Sequence, residues 1–332
     1  MISVVVPAFD AKETLGDCLD ALEGQTLDRE GYEIIVVDDG SADGTVEVAR
    51  QYPVRLIRQA HAGPAAARNR GAEEARGDLL FFTDADCAPA PDWMERMADA
   101  FTDPRVVGAK GTYRTHQKAL VARFVQLEYE GKYARMRHRD QIDFVDTYSA
   151  AYRRDVFLVN DGFEARFPTS SVEDQEFSFR LARKGYRLVF VPEAVVYHIH
   201  DTTTGEYWRR KFGIGHWKAL LLRWHPERAV RDSHTPQVLK LQILLAGLLC
   251  LSLLVALIRR EALLGSAALL VFFLLSTVPF VIRAVRRDAP VASAAPFLLL
   301  VRALALGLGL ATGFVRFCWA DTARQGKPHA WD

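Results

Sequence analysis

Short apolar runs alternate with amphipathic stretches at the start of the chain, and long unbroken apolar runs dominate its end. Ile2-Ser3-Val4-Val5-Val6-Pro7 predicts a first strand entering a loop at Ala8-Phe9-Asp10. Between Glu13 and Glu23, Leu15, Cys18, Leu19 and Leu22 recur at helical spacing. Tyr32 to Val37 is continuous and β-branched, which predicts a second strand buried on both faces. Thr45 to Tyr52 follows as a helix, and Val54 to Ile57 as a strand. Pro64 suits the first turn of a helix running to Ala75. Asp78 to Thr83 then predicts a fourth strand. This alternation predicts an α/β domain: a mostly parallel sheet with helices on both sides. Further on, residues 105–115 read as a strand pair around Gly108 and Gly111, and Ala119 to Met136 as a long helix. Glu173 opens another helix, and Leu188–Pro192 and Ala194–Tyr197 read as late strands.

From Val238 onward the pattern changes. Val238 to Ile258 holds one charge, Lys240; Ala262 to Ile282 holds none; Pro296 to Val315 holds one, Arg302. Each run is about 20 residues, the length a helix needs to cross a hydrocarbon core. The expected organisation is a globular domain over 1–204, an interfacial amphipathic helix and linker over 205–235, three transmembrane helices within 236–320 (about 238–258, 262–282 and 296–316), and a tail over 321–332. Gly205 to His225 mixes Trp, Tyr, Arg and Lys with Leu, a composition suited to a membrane interface. Arg228, Arg231, Arg283, Arg286 and Arg287 mark the cytoplasmic side. Arg259 and Arg260, in the short loop between the first two runs, oppose that bias, and a re-entrant first pair is the alternative. Arg302 inside an apolar run calls for a buried partner, a lipid phosphate or a snorkelling route to the interface.

Candidate chemistry gathers at the ends of the predicted strands. Asp84-Ala85-Asp86 follows the fourth strand, and ligands of open α/β sheets bind at such ends. Two acids in this spacing can share a divalent cation, Mn2+ or Mg2+, with a diphosphate, because hard cations take oxygen ligands and keep substrate phosphates among them. Asp10, Asp38 and Asp39 stand at other strand ends. Together they suggest a site for a base, a ribose and a metal-bound diphosphate; the alternative for each is an N-cap on a following helix. No Gly-x-Gly-x-x-Gly follows the first strand, which argues against dinucleotide binding. The formal net charge of +1, without a long basic run, gives no support for a nucleic-acid partner. Cys18, Cys87, Cys250 and Cys318 form no Cys-x-x-Cys pair and read as reduced thiols of a cytosol-facing protein. Ile2 to Val6 is too short for the apolar core of a signal peptide.

Four stretches taken in order carry a family resemblance: Val4-Val5-Val6-Pro7-Ala8-Phe9, Val36-Val37-Asp38-Asp39-Gly40-Ser41, Ala66-Ala67-Arg68-Asn69-x-Gly71 and Asp84-Ala85-Asp86. They resemble the family 2 glycosyltransferases with the GT-A fold. Gly162-Phe163-Glu164, Glu173-Asp174 and Arg180-Leu181 with Gly185-Tyr186 continue the resemblance. It implies a nucleotide-sugar site built from Pro7, Ala8, Phe9, Asp10, Asp38, Asp39, Arg68, Asp84, Ala85 and Asp86. It implies a metal held by Asp86 with Asp84 nearby, completed by a histidine after a late strand. His198 stands at that place and His200 is the fallback; strand alternation puts both on one face. In the family the Asp of the Glu-Asp pair is the catalytic base, which carries that role onto Asp174. A carboxylate within reach of an attacking hydroxyl can take its proton. Asp10 stands where the family usually has Asn. Processive relatives carry Gln-x-x-Arg-Trp where this chain has Tyr207-Trp208-Arg209-Arg210-Lys211-Phe212, which argues against a processive synthase.

The resulting expectation is an inverting, metal-dependent glycosyltransferase of the inner (plasma) membrane with its catalytic domain in the cytoplasm. Its donor would be a nucleotide-sugar, UDP-hexose by family prevalence, and its acceptor lipid-linked, in envelope or exopolysaccharide assembly. The alternatives are a polyprenyl-phosphate glycosyltransferase or glycolipid synthase, a processive synthase, and a non-catalytic pseudoenzyme that anchors a partner.

Overall fold

In a computed structural model that describes residues 1–169, 171–229 and 235–319, the short apolar runs form one sheet covered on both faces. β1 (Ile2–Ala8), β2 (Tyr32–Asp38), β3 (Arg55–Arg58) and β4 (Leu79–Phe82) pair in parallel. β1 sends Val4 and Val6 to one face, against Leu15, Leu19 and Trp93, and Val5 to the other, against Ala67 and Phe82. Burial on both sides is why these strands read as continuous apolar runs.

Helices α1 (Leu15–Glu23), α2 (Thr45–Ala49) and α3 (Pro64–Glu74) connect the parallel strands. α3 lies close on the sheet at Gly71, where a Cβ would fall 2.3 Å from Val5 Cγ1. The glycine of the third motif is therefore a packing requirement.

The second half of the sheet is mixed. β5 (Cys87–Pro89), α4 (Trp93–Asp99), β6 (Val106–Arg114), α5 (Leu120–Met136), β7 (Ala150–Arg153), α6 (Arg154–Val159), α7 (Glu173–Arg183) and β8 (Arg187–His198) complete it, with strand order β3-β2-β1-β4-β7-β6-β8-β5. Residues 105–115 are thus not a strand pair. They contain the single strand β6, and the glycines coincide with register shifts rather than a turn. Likewise the two late strands are one, since β8 continues through Pro192. Its pairing with β5 is antiparallel, with Cys87 opposite His198.

Two compact units emerge: Met1–Lys118 with Val125–His200, and Ala119–Phe124 with the chain from Asp201 onward. In the second, α8 (Thr204–Trp224) starts with a capping box between Thr203 and Glu206. α9 (Gln237–Ala256), α10 (Ala262–Val285) and α11 (Ala289–Phe314) follow. Gln237–Ala256, Ala262–Val285 and Ala289–Phe317 are each long and apolar enough to cross a membrane. In the most apolar window of α9 and of α10 only 17% of residues are buried by protein. Lipid is the solvent that suits such leucine-covered helices, and the chain is a multi-pass membrane protein. α11 begins seven residues before the predicted Pro296, because Asp288 accepts from Val291 N and caps the helix earlier.

Arg302 has a protein partner. Its Nη2 donates to Gln242 Oε1 (2.6 Å), and Gln242 Nε2 donates to Ser276 Oγ (3.1 Å), which links all three spans. α8 meets α11 backbone to backbone, where a Cβ on Gly309 would fall 2.2 Å from Phe212 O. The 321–332 tail and Arg231 lie outside the described residues.

Candidate active site

The ends of β1 and β2 form one loop system. Pro7 and Ala8 close β1, and Phe9 stays about half exposed with its ring 4.2 Å from that of His61. Asp10 adopts a left-handed φ of 47°, a conformation Asn and Asp accept most readily among residues with a Cβ. Its Oδ1 accepts from Ala42 N (2.9 Å), and its own N–H donates to Ser41 Oγ (3.0 Å). The Asp-for-Asn difference therefore keeps both the backbone tolerance and the acceptor oxygen. Asp38 is fully buried, accepting from Ser41 N (3.2 Å) and Arg58 Nε (3.4 Å). Asp39 accepts from Gln59 Nε2 (2.6 Å), Ala62 N (2.9 Å) and Gly63 N (2.8 Å), and lies 3.0 Å from His61 Nδ1. Its oxygens are engaged in pinning the loop that launches α3.

Arg68 is buried between two acids. It donates through Nη2 to Asp84 Oδ1 (2.6 Å) and through Nη1 to Glu173 Oε1 (3.1 Å). Asn69 does similar work nearby, exchanging hydrogen bonds with the N–H and C=O of Phe163 (2.8 and 2.7 Å). Asp84 is thus oriented by Arg68, while Asp86, beyond Ala85, keeps 42% of its side chain exposed.

The β5–β8 pairing brings a distant residue to Asp86. His198 Nε2 lies 3.6 Å from Asp86 Oδ2, and Cys87 Sγ lies 3.6 Å from Asp86 Oδ1. The donor atoms of Asp86, Cys87 and His198 all fall within 4.8 Å of one another. His200 backs this group. Its Nδ1 is 3.2 Å from His198 Nδ1, and its backbone N–H donates to Gln117 Oε1 (2.6 Å). The His198 ring also stacks on Tyr113 at 5.1 Å. With one ring nitrogen held, the other is aimed at Asp86, as metal-binding histidines require. A cavity of ≈ 330 Å³ opens beside these residues, lined among others by Asp17, Cys18 and Thr115.

Asp174 lies in the first turn of α7, half-buried, with Oδ1 accepting from Gln175 N (2.7 Å). Burial first, and then the Glu173 charge, push its carboxyl up to about 7; Arg68 and Lys110 oppose this.

Comparison with known proteins points to one family. The family model for glycosyl transferase family 2 matches residues 3–159. Glycosyltransferase AglE of Haloferax volcanii is 30% identical over 240 residues, covering 68% of this chain and 75% of the relative. The chain belongs to glycosyl transferase family 2. It is a glycosyltransferase of that family, with nucleotide-sugar transfer as its general chemistry. The O-antigen chain rhamnosyltransferase RfbN of Salmonella typhimurium is 27% identical over 228 residues, covering 64% of this chain and 71% of the relative. The mannosyltransferase PcManGT from Pyrobaculum calidifontis, solved in complex with GDP-Man and Mn2+, superposes with a TM-score of 0.57 at 20% identity. The match covers 96% of this chain and 87% of that one, a likeness of fold.

The donor set of Asp86 and His198 fits a divalent cation, with an imidazole and a carboxylate converging beside a cavity. Asp84 stands outside this cluster, its Oδ1 turned to Arg68. The sequence reading missed a buried ion pair, Lys110 with Asp146. Lys110 Nζ also donates to Tyr148 Oη (3.2 Å), which lies 3.0 Å from Tyr133 Oη. A lysine between Ala109 and Gly111 in an apolar strand was the available signal. Cys87, read from the sequence only as a reduced thiol, has a signal too, its place next to Asp86.

Proposed function

We propose that this glycosyltransferase is inverting and metal-dependent, and that it transfers a sugar from a nucleotide-sugar, UDP-hexose first among the candidates, to a lipid-linked acceptor in envelope or exopolysaccharide assembly. The observation that carries this reading is the pairing, in one compact unit, of two separated functional groups. One is a cation-binding cluster at Asp86 and His198; the other is a carboxyl, Asp174, poised near neutrality.

Asp86 and His198 would hold Mn2+ or Mg2+, which offsets the charge that builds on a departing diphosphate. Arg68 fixes Asp84 in place beside them. The loops bearing Pro7, Ala8, Phe9, Asp10, Asp38 and Asp39 form the cradle for the nucleoside, with the Phe9 ring as an exposed aromatic platform. Asp174 takes the proton of the acceptor hydroxyl as its oxygen bonds to the anomeric carbon. The diphosphate departs from the opposite face, and the configuration inverts without a covalent enzyme intermediate. Three spans keep the enzyme at the bilayer, where a lipid-linked acceptor resides, and a nucleotide-sugar donor places the catalytic unit on the cytoplasmic face of the inner membrane. The role of RfbN in an O-antigen chain supports a glycan-building acceptor.

The test uses purified full-length protein in detergent with Mn2+ or Mg2+, labelled UDP- or GDP-sugars and a bacterial lipid extract. Label entering the organic phase, and lost in Asp174→Asn, is the expected result. Release of that label by mild acid would separate polyprenyl phosphates from stable glycolipids. Label appearing only on a water-soluble acceptor would overturn the lipid assignment. Full turnover by Asp174→Asn would overturn the base.

A further inference from the structure

We propose that Cys87 supplies a thiolate donor to the Asp86–His198 site, so that this site binds a soft divalent cation of the Zn2+ class and is inhibited by it. The inference rests on the reading of Asp86 and His198 as cation ligands and adds a third ligand with a different preference.

Closeness and donor type together define the group. His198 Nε2 lies 3.6 Å from Asp86 Oδ2, Cys87 Sγ lies 3.6 Å from Asp86 Oδ1, and all three donors fall within 4.8 Å of one another, near enough to converge on one ion. One carboxylate, one imidazole and one sulfur form a donor set that favours borderline and soft ions.

The scaffold holds these donors in place. Cys87 and His198 are directly opposed across an antiparallel strand pair, which fixes both backbones. His198 is backed by His200 and stacked on Tyr113. Cys87 is itself buried, its sulfur already directed at Asp86. A fourth position faces the ≈ 330 Å³ cavity, from which the ion enters and where water completes the shell. Binding is a ligand exchange without redox change: the Cys87 thiol loses its proton to solvent as the sulfur–metal bond forms. An ion held in this way occupies Asp86 and His198 and denies them to the hard cation that accompanies a diphosphate.

The probe is Co2+, added to the full-length protein in detergent without nucleotide. A thiolate-to-Co2+ charge-transfer band is expected in the near ultraviolet, saturating at one ion per chain and displaced by Zn2+. Cys87→Ser removes the band, whereas Cys18→Ser, which alters a thiol of the same cavity, retains it. In transfer assays each variant is compared with its own uninhibited rate. Cys87→Ser is expected to raise the Zn2+ concentration for half-inhibition by more than the roughly 10–100-fold that loss of an outer-shell partner costs. A band that survives Cys87→Ser, or that disappears in Cys18→Ser alone, overturns the inference. So does Co2+ binding without a thiolate band. Failure of the functional reading looks different: the band forms, but Asp86→Asn and His198→Ala leave sugar transfer intact.

Discussion

Asp174→Asn should make the protein inactive and, at alkaline pH, more stable. The carboxyl is raised from 3.8 to about 7, first by burial and then by Glu173. Because the folded value lies above the unfolded one, the folded state holds the proton more tightly. Stability present at acid pH is therefore lost as pH rises from about 4 through about 7. With these two values, ionising Asp174 costs roughly 2 kcal/mol at pH 5 and roughly 4 kcal/mol at pH 8, a difference of roughly 2–3 kcal/mol. The side chain is half-buried, and solvent at its open side reduces this to roughly 1–2 kcal/mol, a few degrees in Tm. Asn keeps an oxygen for Gln175 N and carries no charge, so the variant lacks the loss. The assay is thermal unfolding in detergent at pH 5 and pH 8, for parent and variant. The gap between them should widen with pH in the variant's favour. The parent's kcat/KM should rise with pH through about 7, reaching about one-tenth of its plateau at pH 6 and nine-tenths at pH 8. A gap that stays constant between pH 5 and 8 would refute the burial argument, whatever the variant's activity.

Four further outcomes follow from the same geometry. Arg68→Met leaves Asp84 and the buried Glu173 unpaired, and should cost about 3–5 kcal/mol in thermal unfolding; a loss under about 1 kcal/mol would show that the pair is not a structural hub. Asp39→Ala removes the acceptor for two backbone N–H groups, at about 1–3 kcal/mol for each left unsatisfied, and should expose residues 59–63 to limited proteolysis. Gly309→Leu drives a side chain into the Phe212 carbonyl; cysteines introduced by His216→Cys and Thr312→Cys should crosslink in the parent background and fail to do so in this one. Chelation should abolish transfer, with Mn2+ or Mg2+ restoring it; activity that withstands chelation would rule out the metal requirement.

The first half of the sheet was legible because its strands are buried on both faces, and Val4 to Val6 and Ile34 to Val37 show this directly in composition. The spans were legible for the same reason: hydropathy needs no tertiary context when lipid is the partner. Legibility failed where neighbours decide. Gly108 and Gly111 look like turn residues in sequence, yet strand β6 passes through both with bulges because β7 and β8 hold it on either side. Pro192 looks like a strand end, yet β8 continues through it. Lys110 and Asp146 are far apart in sequence, and nothing local announces that each is buried against the other. The start of α11 was missed because Asp288, a charged residue outside the apolar run, provides the cap.

The same contrast sorts the acids of the candidate site by their partners. Asp39, Asp84 and Glu173 were equal in the sequence to any other carboxylate at a strand end or helix start. In the structure each is engaged by protein donors: backbone amides for Asp39, Arg68 for the other two. Charge-assisted bonds of this kind hold loops in place and lower an acid's affinity for anything else. Asp86 stands partly exposed beside an imidazole that favours its ionised form, although burial and the Asp84 charge raise its carboxyl; Asp174 has burial and the Glu173 charge working against its ionised form. An acid that the fold sets beside an imidazole and a cavity is suited to take a cation. An acid that the fold makes basic is suited to take a proton. Asp-x-Asp and Glu-Asp spacing cannot make this distinction, since in each pair the two members differ only in what long-range folding sets against them: Arg68 for the inner ones, a cavity and a neighbouring charge for the outer.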